Sequence, residues 1–282
     1  MKRKIFGIGE TVLDVIFKND QPTAALPGGS TFNAMISLGR SVGKRFTDTP
    51  ILMITETGDD HIGDIVVNFM REKNVSTDAV TRNKNTQTHI SMAFLNDQND
   101  AQYEFYKDHA NAKLNIDKVN TIEFQPNDLI IFGSFFAINP VLRDYTKSML
   151  SKAHRTGAII YYDINFRKSH IKDIPETLGN IIENFEFADV VRGSAEDFGY
   201  LFGTTDPQEV YENHIKQHCK NFICTDGGKP LSLFTPKVSA KFPAKQIKTV
   251  STIGAGDNFN AGFAYGIIEN DLTKEAHNNS EA

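Results

Sequence analysis

Cysteine is nearly absent: Cys219 and Cys224 are the only two among 282 residues, too few for a disulfide framework and read as reduced, partly buried thiols. His214 and His218 lie nearby at helical spacing, but four zinc ligands on one short segment would be strained, so the plain thiol reading is preferred. Long apolar runs are missing too. The longest, Asp128 to Gly133 and Ala158 to Tyr162, fall far short of the ~20 residues that span a bilayer, and no membrane anchor is expected. Basic charge is not in excess either. Thirty Lys and Arg against thirty-five Asp and Glu give a formal net charge of −5, which provides no general attraction for nucleic acid or an anionic membrane. Any phosphate site must therefore be local. The basic start, Met1-Lys2-Arg3-Lys4, runs through Ile5 to Gly9 straight into Glu10 and Asp14. It lacks the apolar core and cleavage site of a signal peptide, and a cytoplasmic location is expected.

What is present is an ordinary globular composition, 40% hydrophobic and 23% charged, which sets disordered, collagen-like and coiled-coil classes aside. At about 150 residues per domain, the chain makes one large domain with at most a small appendage. Apolar bursts at Ile5 to Gly9, Ile51 to Thr55, Asp128 to Ser134, Ala158 to Asn165, Asp189 to Arg192 and Asn221 to Thr225 alternate with helical patterns. Those patterns cover Ser30 to Val42, His61 to Glu72, Pro140 to Arg155, Pro175 to Phe185, Pro207 to Cys219 and Asn258 to Ile268. Strands without polar alternation suit a mostly parallel sheet covered on both faces, and the rhythm reads as a single α/β domain over 1–282.

Two stretches break that rhythm. Val12 to Phe17, and His89 to Leu95 with Gln102 to Lys107, alternate polar and apolar residues, as strands exposed on one face do. They are read as a small sheet with strands at about 11–18 and 88–108, positioned to cover a ligand and exclude water. A mere surface hairpin is the plainer alternative. An exposed sheet of this kind is also a surface through which two copies would pair as a homodimer. The polar end, Glu275 to Ala282, is expected to fray.

The strongest local signal is Gly254-Ala255-Gly256-Asp257, opening onto Asn258 to Phe263. A Gly-Ala-Gly turn at a helix start points backbone N–H groups and the positive end of the dipole at a guest, an arrangement suited to phosphate. Asp257 in the first turn is either an N-terminal charge without chemistry or a group placed to act on that guest. Far upstream, Pro27-Gly28-Gly29-Ser30-Thr31-Phe32-Asn33 leads into another helix. Its paired glycines permit close backbone approach, and Asn33 can both donate to and accept from hydroxyls, although such a loop alone is most simply a turn.

Taken together, these segments resemble the paired motifs of the ribokinase-like (PfkB) carbohydrate kinases, and the resemblance spans most of the chain. Gly58-Asp59-Asp60-His61-Ile62-Gly63 is similar to that family's Gly-x-Asp-x-x-Gly loop, and Asp163-Ile164-Asn165-Phe166-Arg167 to its Asp-x-Asn-x-Arg strand end. The resemblance implies a Rossmann-like three-layer sandwich with a small β lid, and phosphorylation of a sugar's primary hydroxyl by ATP. Asp257 would be the base, with the N–H groups of Gly254, Ala255 and Gly256 holding the transferring group. Phosphoryl transfer is largely positioning and charge stabilisation, which suits so small a set. Asp14, Gly28, Gly29 and Asn33 would form the sugar cradle, joined by Asn165 and Arg167, the latter otherwise pairing with Asp163 at the surface. Ser194, Thr225 and Gly227 would face the nucleotide. Either Glu196 or Asp197 would support Mg²⁺ through water, the family's usual glutamate being Asp197 here.

Two departures stand out. Ser251-Thr252 replaces the family's Asp-Thr, whose acid helps hold a monovalent cation, so that requirement is left open. Only about two dozen residues follow Asp257, where relatives continue through helices that complete the adenine pocket. The motifs look most like fructokinases, with kinases of 2-keto-3-deoxygluconate, ribose or nucleosides behind. A noncatalytic sugar- or nucleotide-binding protein on the same fold is the rival, and it would bind ligand without releasing ADP. A dinucleotide oxidoreductase, suggested by Gly7-Ile8-Gly9, fares poorly because the third glycine is missing.

Overall fold

Short β-branched and aromatic runs form the strands of the protein, and two compact units carry them: residues 1–123 with 248–272, and residues 124–247 with 273–282. The structure is a computed structural model that describes residues 3–45, 49–96, 101–106, 113–247 and 252–275. Ser251, the end of the expected lid at 107–108, and the tail from 276 onward lie outside the described residues.

In chain order the first unit contains β1 (Ile5–Ile8), β2 (Val12–Lys18), β3 (Gln21–Gly28), α1 (Ser30–Arg45), β4 (Ile51–Gly58), α2 (His61–Glu72), β5 (Val80–Asn83), β6 (Ile90–Leu95), β7 (Ala101–Tyr106) and α3 (Ile116–Thr121). The second contains β8 (Leu129–Gly133), α4 (Ser134–Ile138), α5 (Arg143–Thr156), β9 (Ile159–Asp163), α6 (Ile174–Phe187), β10 (Val190–Ser194), α7 (Ala195–Phe202), α8 (Pro207–Val210), β11 (Phe222–Thr225), β12 (Leu231–Phe234) and β13 (Ser239–Phe242). The chain then returns to the first unit for α9 (Ala255–Glu269).

In the first unit β1, β4 and β5 run parallel, with Ile5 opposite Ile51 and Thr55 opposite Val80. Ile5, Phe6, Ile8, Met53 and Ile54 are buried, and each such side chain contributes about 1.5–3 kcal/mol on leaving water. Helix α1 lies directly on this sheet: a Cβ at Gly7 would fall 2.5 Å from the Met35 Cγ. A separate four-stranded sheet runs in the order β3-β2-β6-β7, with β2 parallel to β6 and antiparallel to β3. Strand β3 escaped the sequence reading because Pro22 and Pro27 argue against a strand; it is an edge strand with Gln21 to Leu26 exposed, where proline is tolerated.

The second unit has strand order β13-β12-β11-β10-β9-β8. Strands β8 to β11 are parallel, and β12 and β13 return as antiparallel hairpins. Tyr161, Tyr162, Phe132, Phe185, Phe198 and Phe222 are fully buried, with the Phe132 and Tyr162 rings stacked at 4.7 Å. The helix expected over Pro207 to Cys219 is shorter: α8 ends at Val210 and gives way to a wider helical turn over Tyr211–Ile215. Among the described residues no helix is long and apolar enough to cross a membrane.

Candidate active site

Strand β3 ends in a place that admits no side chain. A Cβ on Gly28 would lie 1.9 Å from the Asp14 Oδ2, so the missing side chain is what leaves room for that carboxylate. Gly29 follows with φ +121, and a Cβ there would strike the Glu10 carbonyl oxygen at 2.4 Å. Glycine supplies this conformation without the steric penalty other residues meet. The Asn33 N–H donates to the Gly29 carbonyl at 2.8 Å and closes the first turn of α1. Ser30 and Asn33, three residues apart, therefore share one face of the helix.

Helix α9 starts at Gly254, whose φ of +72 is again a glycine conformation and which supplies no side-chain cap. The turn is closed by the Ala255 N–H donating to Thr252 O at 3.1 Å and the Asn258 N–H to Gly254 O at 2.9 Å. Asp257 sits in the first turn, buried. Its two oxygens are taken separately. Oδ1 accepts from the Ser30 hydroxyl at 2.8 Å and Oδ2 from the Asn33 amide at 2.9 Å. The two ends of the sequence thus meet in one hydrogen-bonded group, although Ser30 and Asp257 are 227 positions apart. One turn along α1, the Ser37 hydroxyl donates to the Asn258 side chain at 2.8 Å. Helices α1 and α9 pack against each other, with Ala261 and Ala264 buried. Gly262 does not share in that close approach, since a Cβ there would meet nothing within 4 Å. Ser30 was the residue missed; a hydroxyl directly after Gly-Gly and one turn before Asn33 was the available signal.

In the second unit a distinct set of polar groups gathers at the carboxyl ends of β9, β10 and β11. Asp163 and Arg192 are register partners on adjacent strands. The Arg192 guanidinium donates to Asp163 Oδ1 at 2.9 Å and to the Thr225 hydroxyl at 2.7 Å. Burial pulls the Arg192 guanidinium down, but Asp163, Tyr161 and Asp197 together outweigh it and hold the group above its ordinary value. Asp163 is buried, and Arg192 pairs with its Oδ1. Arg167 itself is exposed. Asn165 adopts φ +39 and donates to the Ser134 hydroxyl at 2.8 Å.

Ser194, opposite Thr225 in register, caps α7. Its N–H and hydroxyl both donate to Asp197 Oδ2, at 2.6 and 2.8 Å. Burial, followed by the Asp163 carboxylate, pushes the Asp197 carboxyl up to about 6. Glu196 is exposed and accepts from the Tyr200 hydroxyl at 2.5 Å. Gly227 (φ +54) lies in the exposed turn closed by the Lys229 N–H on Asp226 O, with open space around it. The sequence-expected residues thus fall into two local groups. Asp14, Gly28, Gly29, Asn33 and Asp257 belong to the first unit, and Asn165, Arg167, Ser194, Glu196, Asp197, Thr225 and Gly227 to the second.

Comparison with known proteins places this arrangement in context. Residues 2–278 match the pattern of the family described as pfkB family carbohydrate kinase. A fructokinase from Rhizobium leguminosarum bv. trifolii is 27% identical over 275 residues, spanning 94% of this chain and 80% of that protein. Among solved structures, the fructokinase of Vibrio cholerae O395 in its fructose, ADP and calcium ion bound form superposes with a TM-score of 0.82 at 20% identity, over 94% of this chain and 84% of that one. The aminoimidazole riboside kinase of Salmonella enterica, complexed with aminoimidazole riboside and an ATP analogue, gives 0.81 at 19% identity, over 98% and 88%. At such identities the structural likeness speaks for the fold, a mostly parallel α/β sheet of the ribokinase-like type.

Proposed function

The chain belongs to the pfkB family of carbohydrate kinases and is a sugar kinase; from that premise we propose that it transfers the γ-phosphoryl group of ATP to a primary hydroxyl of fructose, with Asp257 as the base. The observation that carries this reading is the Asp257 carboxylate, held by Ser30 and Asn33 at the start of α9. Two side-chain donors on separate oxygens fix the carboxylate's orientation, and a base must first be placed correctly before it can take a proton. The incoming hydroxyl donates to an Asp257 oxygen. Its oxygen attacks the γ-phosphorus in line, the bond to the β-phosphate oxygen breaks, and the proton passes to Asp257 late in the displacement. ADP and the sugar phosphate leave, and Asp257 returns its proton to water. The backbone N–H groups at Gly254 to Gly256, at the positive end of α9, are assigned to the charge that develops on the transferring group.

Asp14, Gly28, Gly29 and Asn33 are assigned to the sugar, since a neutral polyol is recognised by fixed donors and acceptors. Ser194, Thr225 and Gly227 are assigned to the nucleotide; Arg192 holds the Thr225 hydroxyl in place. Of the two neighbouring acids, Glu196 fits water-mediated support of Mg²⁺ because it is exposed at the start of α7. Asp197 does not fit, because its carboxylate is buried in the capping box. Bound Mg²⁺ would neutralise charge on the ATP phosphates.

Fructose is favoured by the names of the relatives. An ADP-release assay with fructose, 2-keto-3-deoxygluconate, ribose and a nucleoside tests it, and fructose should give the highest kcat/KM. ADP release with another member of the panel and none with fructose would replace the substrate and leave the chemistry. Thermal stabilisation by sugars without any ADP would remove both.

A further inference from the structure

The Gly58 to Gly63 motif is taken up by none of the roles above, yet its atoms meet where β4 of the first unit's parallel strands approaches the root of its four-stranded sheet. Asp60 caps α2: its Oδ1 accepts from the Gly63 N–H at 2.7 Å. The same carboxylate also reaches Thr88, two residues before β6. Oδ2 accepts from the Thr88 N–H and Oδ1 from the Thr88 hydroxyl, each at 2.7 Å. That hydroxyl in turn accepts from the Gly58 N–H at 3.0 Å. The end of β4, the start of α2 and the root of β6 are thereby joined through one side chain.

Packing explains the glycines. A Cβ on Gly58 would lie 2.4 Å from Asp60 Oδ2 and 2.5 Å from the Thr88 nitrogen; one on Gly63 would lie 2.3 Å from the Gly58 oxygen and 3.0 Å from the Thr88 hydroxyl. From β5, Arg82 closes the joint on its other side, donating to Gly58 O at 3.0 Å, Asp60 O at 3.1 Å and Asp64 Oδ1 at 2.8 Å. Thr88 is buried. From there β6 runs parallel to β2. The Leu13 N–H donates to His89 O at 2.9 Å, and Ser91 stands opposite Asp14. A displacement at Thr88 is therefore delivered within three residues to the strand partner of Asp14.

We propose that Asp60 is a positioning residue: by gripping Thr88 it fixes where β6 emerges, and so holds Asp14 in place for the sugar. This rests on the assignment of Asp14 to the sugar made above. A helix cap alone would need only the Gly63 contact. The second and third hydrogen bonds, to a residue 28 positions away, are the surplus that the positioning role accounts for.

Substitutions can separate the two roles. In Asp60→Asn the remaining oxygen still caps α2 through the Gly63 N–H, but the new amide NH₂ faces the Thr88 N–H, so donor meets donor. Thr88→Val removes the hydroxyl link and keeps the backbone one, while Thr88→Ser keeps both. The expected result for Asp60→Asn is a rise of about tenfold in the sugar KM, in line with loss of one charged hydrogen bond. Its kcat should change less than about threefold and its ATP KM should be unchanged. Thr88→Val should follow in part and Thr88→Ser should match the parent. Hydrogen exchange, which needs no activity, should quicken in Ile90–Leu95 of Asp60→Asn and not in α2. Faster β6 exchange with an unchanged sugar KM would keep the joint and overturn the assignment of Asp14. Unchanged β6 exchange, or a general fall in kcat, both KM values and melting temperature, would overturn the positioning role itself.

Discussion

Replacing Asp197 by Asn should remove a pH-dependent loss of stability that burial of its carboxyl at the start of α7 imposes. The side chain is 6% exposed, and burial, followed by the Asp163 carboxylate, raises its carboxyl from 3.8 to about 6. Between about pH 4 and pH 6 the folded protein therefore holds a proton that the unfolded chain has released. Its unfolding free energy falls as pH rises through that window, because the unfolded state binds fewer protons. The favourable contribution is complete below about pH 4 and gone above about pH 6. A shift of about two units, at about 1.4 kcal/mol each, amounts to about 3 kcal/mol, or about 5 °C in melting midpoint for a chain of this size. An asparagine oxygen can accept from the Ser194 N–H and hydroxyl as the carboxylate does, so the variant keeps the cap without the titration. Urea unfolding of both proteins at a series of pH values isolates the effect. The stability of Asp197→Asn relative to the parent should rise by about 3 kcal/mol between pH 4 and pH 7.5. A difference that stays flat with pH, or that falls, would refute the reasoning.

Two other predictions bear on different parts of the structure. Gly29→Ala forces a methyl group to within 2.4 Å of the Glu10 oxygen at φ +121, so it should destabilise the protein by about 1–3 kcal/mol in urea unfolding and raise the sugar KM; a neutral substitution would mean the turn is not held as described. Burial pushes both the Cys219 and Cys224 thiols up to about 12, so a disulfide-exchange reagent at pH 8 should leave the native protein unmodified and titrate two thiols only after denaturation.

The α/β class was legible because buried strands and amphipathic helices have different periods, and β1, β4 and β8 to β11 appear where apolar bursts stand in the sequence; β5, parallel to β4, is too short and polar to show there. Strand β3 was not, since its exposed, proline-bearing face carries no hydrophobic pattern. The carboxyl end of β8 misled in a smaller way. The apolar run continues beyond Gly133, but Ser134 takes φ +57 and the short helix α4 begins there. At the candidate site, Asp257 and Asn33 stood out because glycine-rich turns precede them. The Arg192 and Asp163 pair did not, because it is made by register between neighbouring strands rather than by any local spacing. Sequence alone also left Glu196 and Asp197 equivalent. Burial separates them: one carboxylate is committed to a cap, while the other faces solvent.

The central claim is tested most directly by single-turnover phosphoryl transfer with Asp257→Asn, run beside sugar-induced thermal stabilisation of the same protein. An amide can still accept from Ser30 but cannot take the hydroxyl proton, so transfer should slow by about 10²–10⁴-fold while the sugar still stabilises the fold. Transfer at a rate near that of the parent would contradict the assignment of Asp257 as the base.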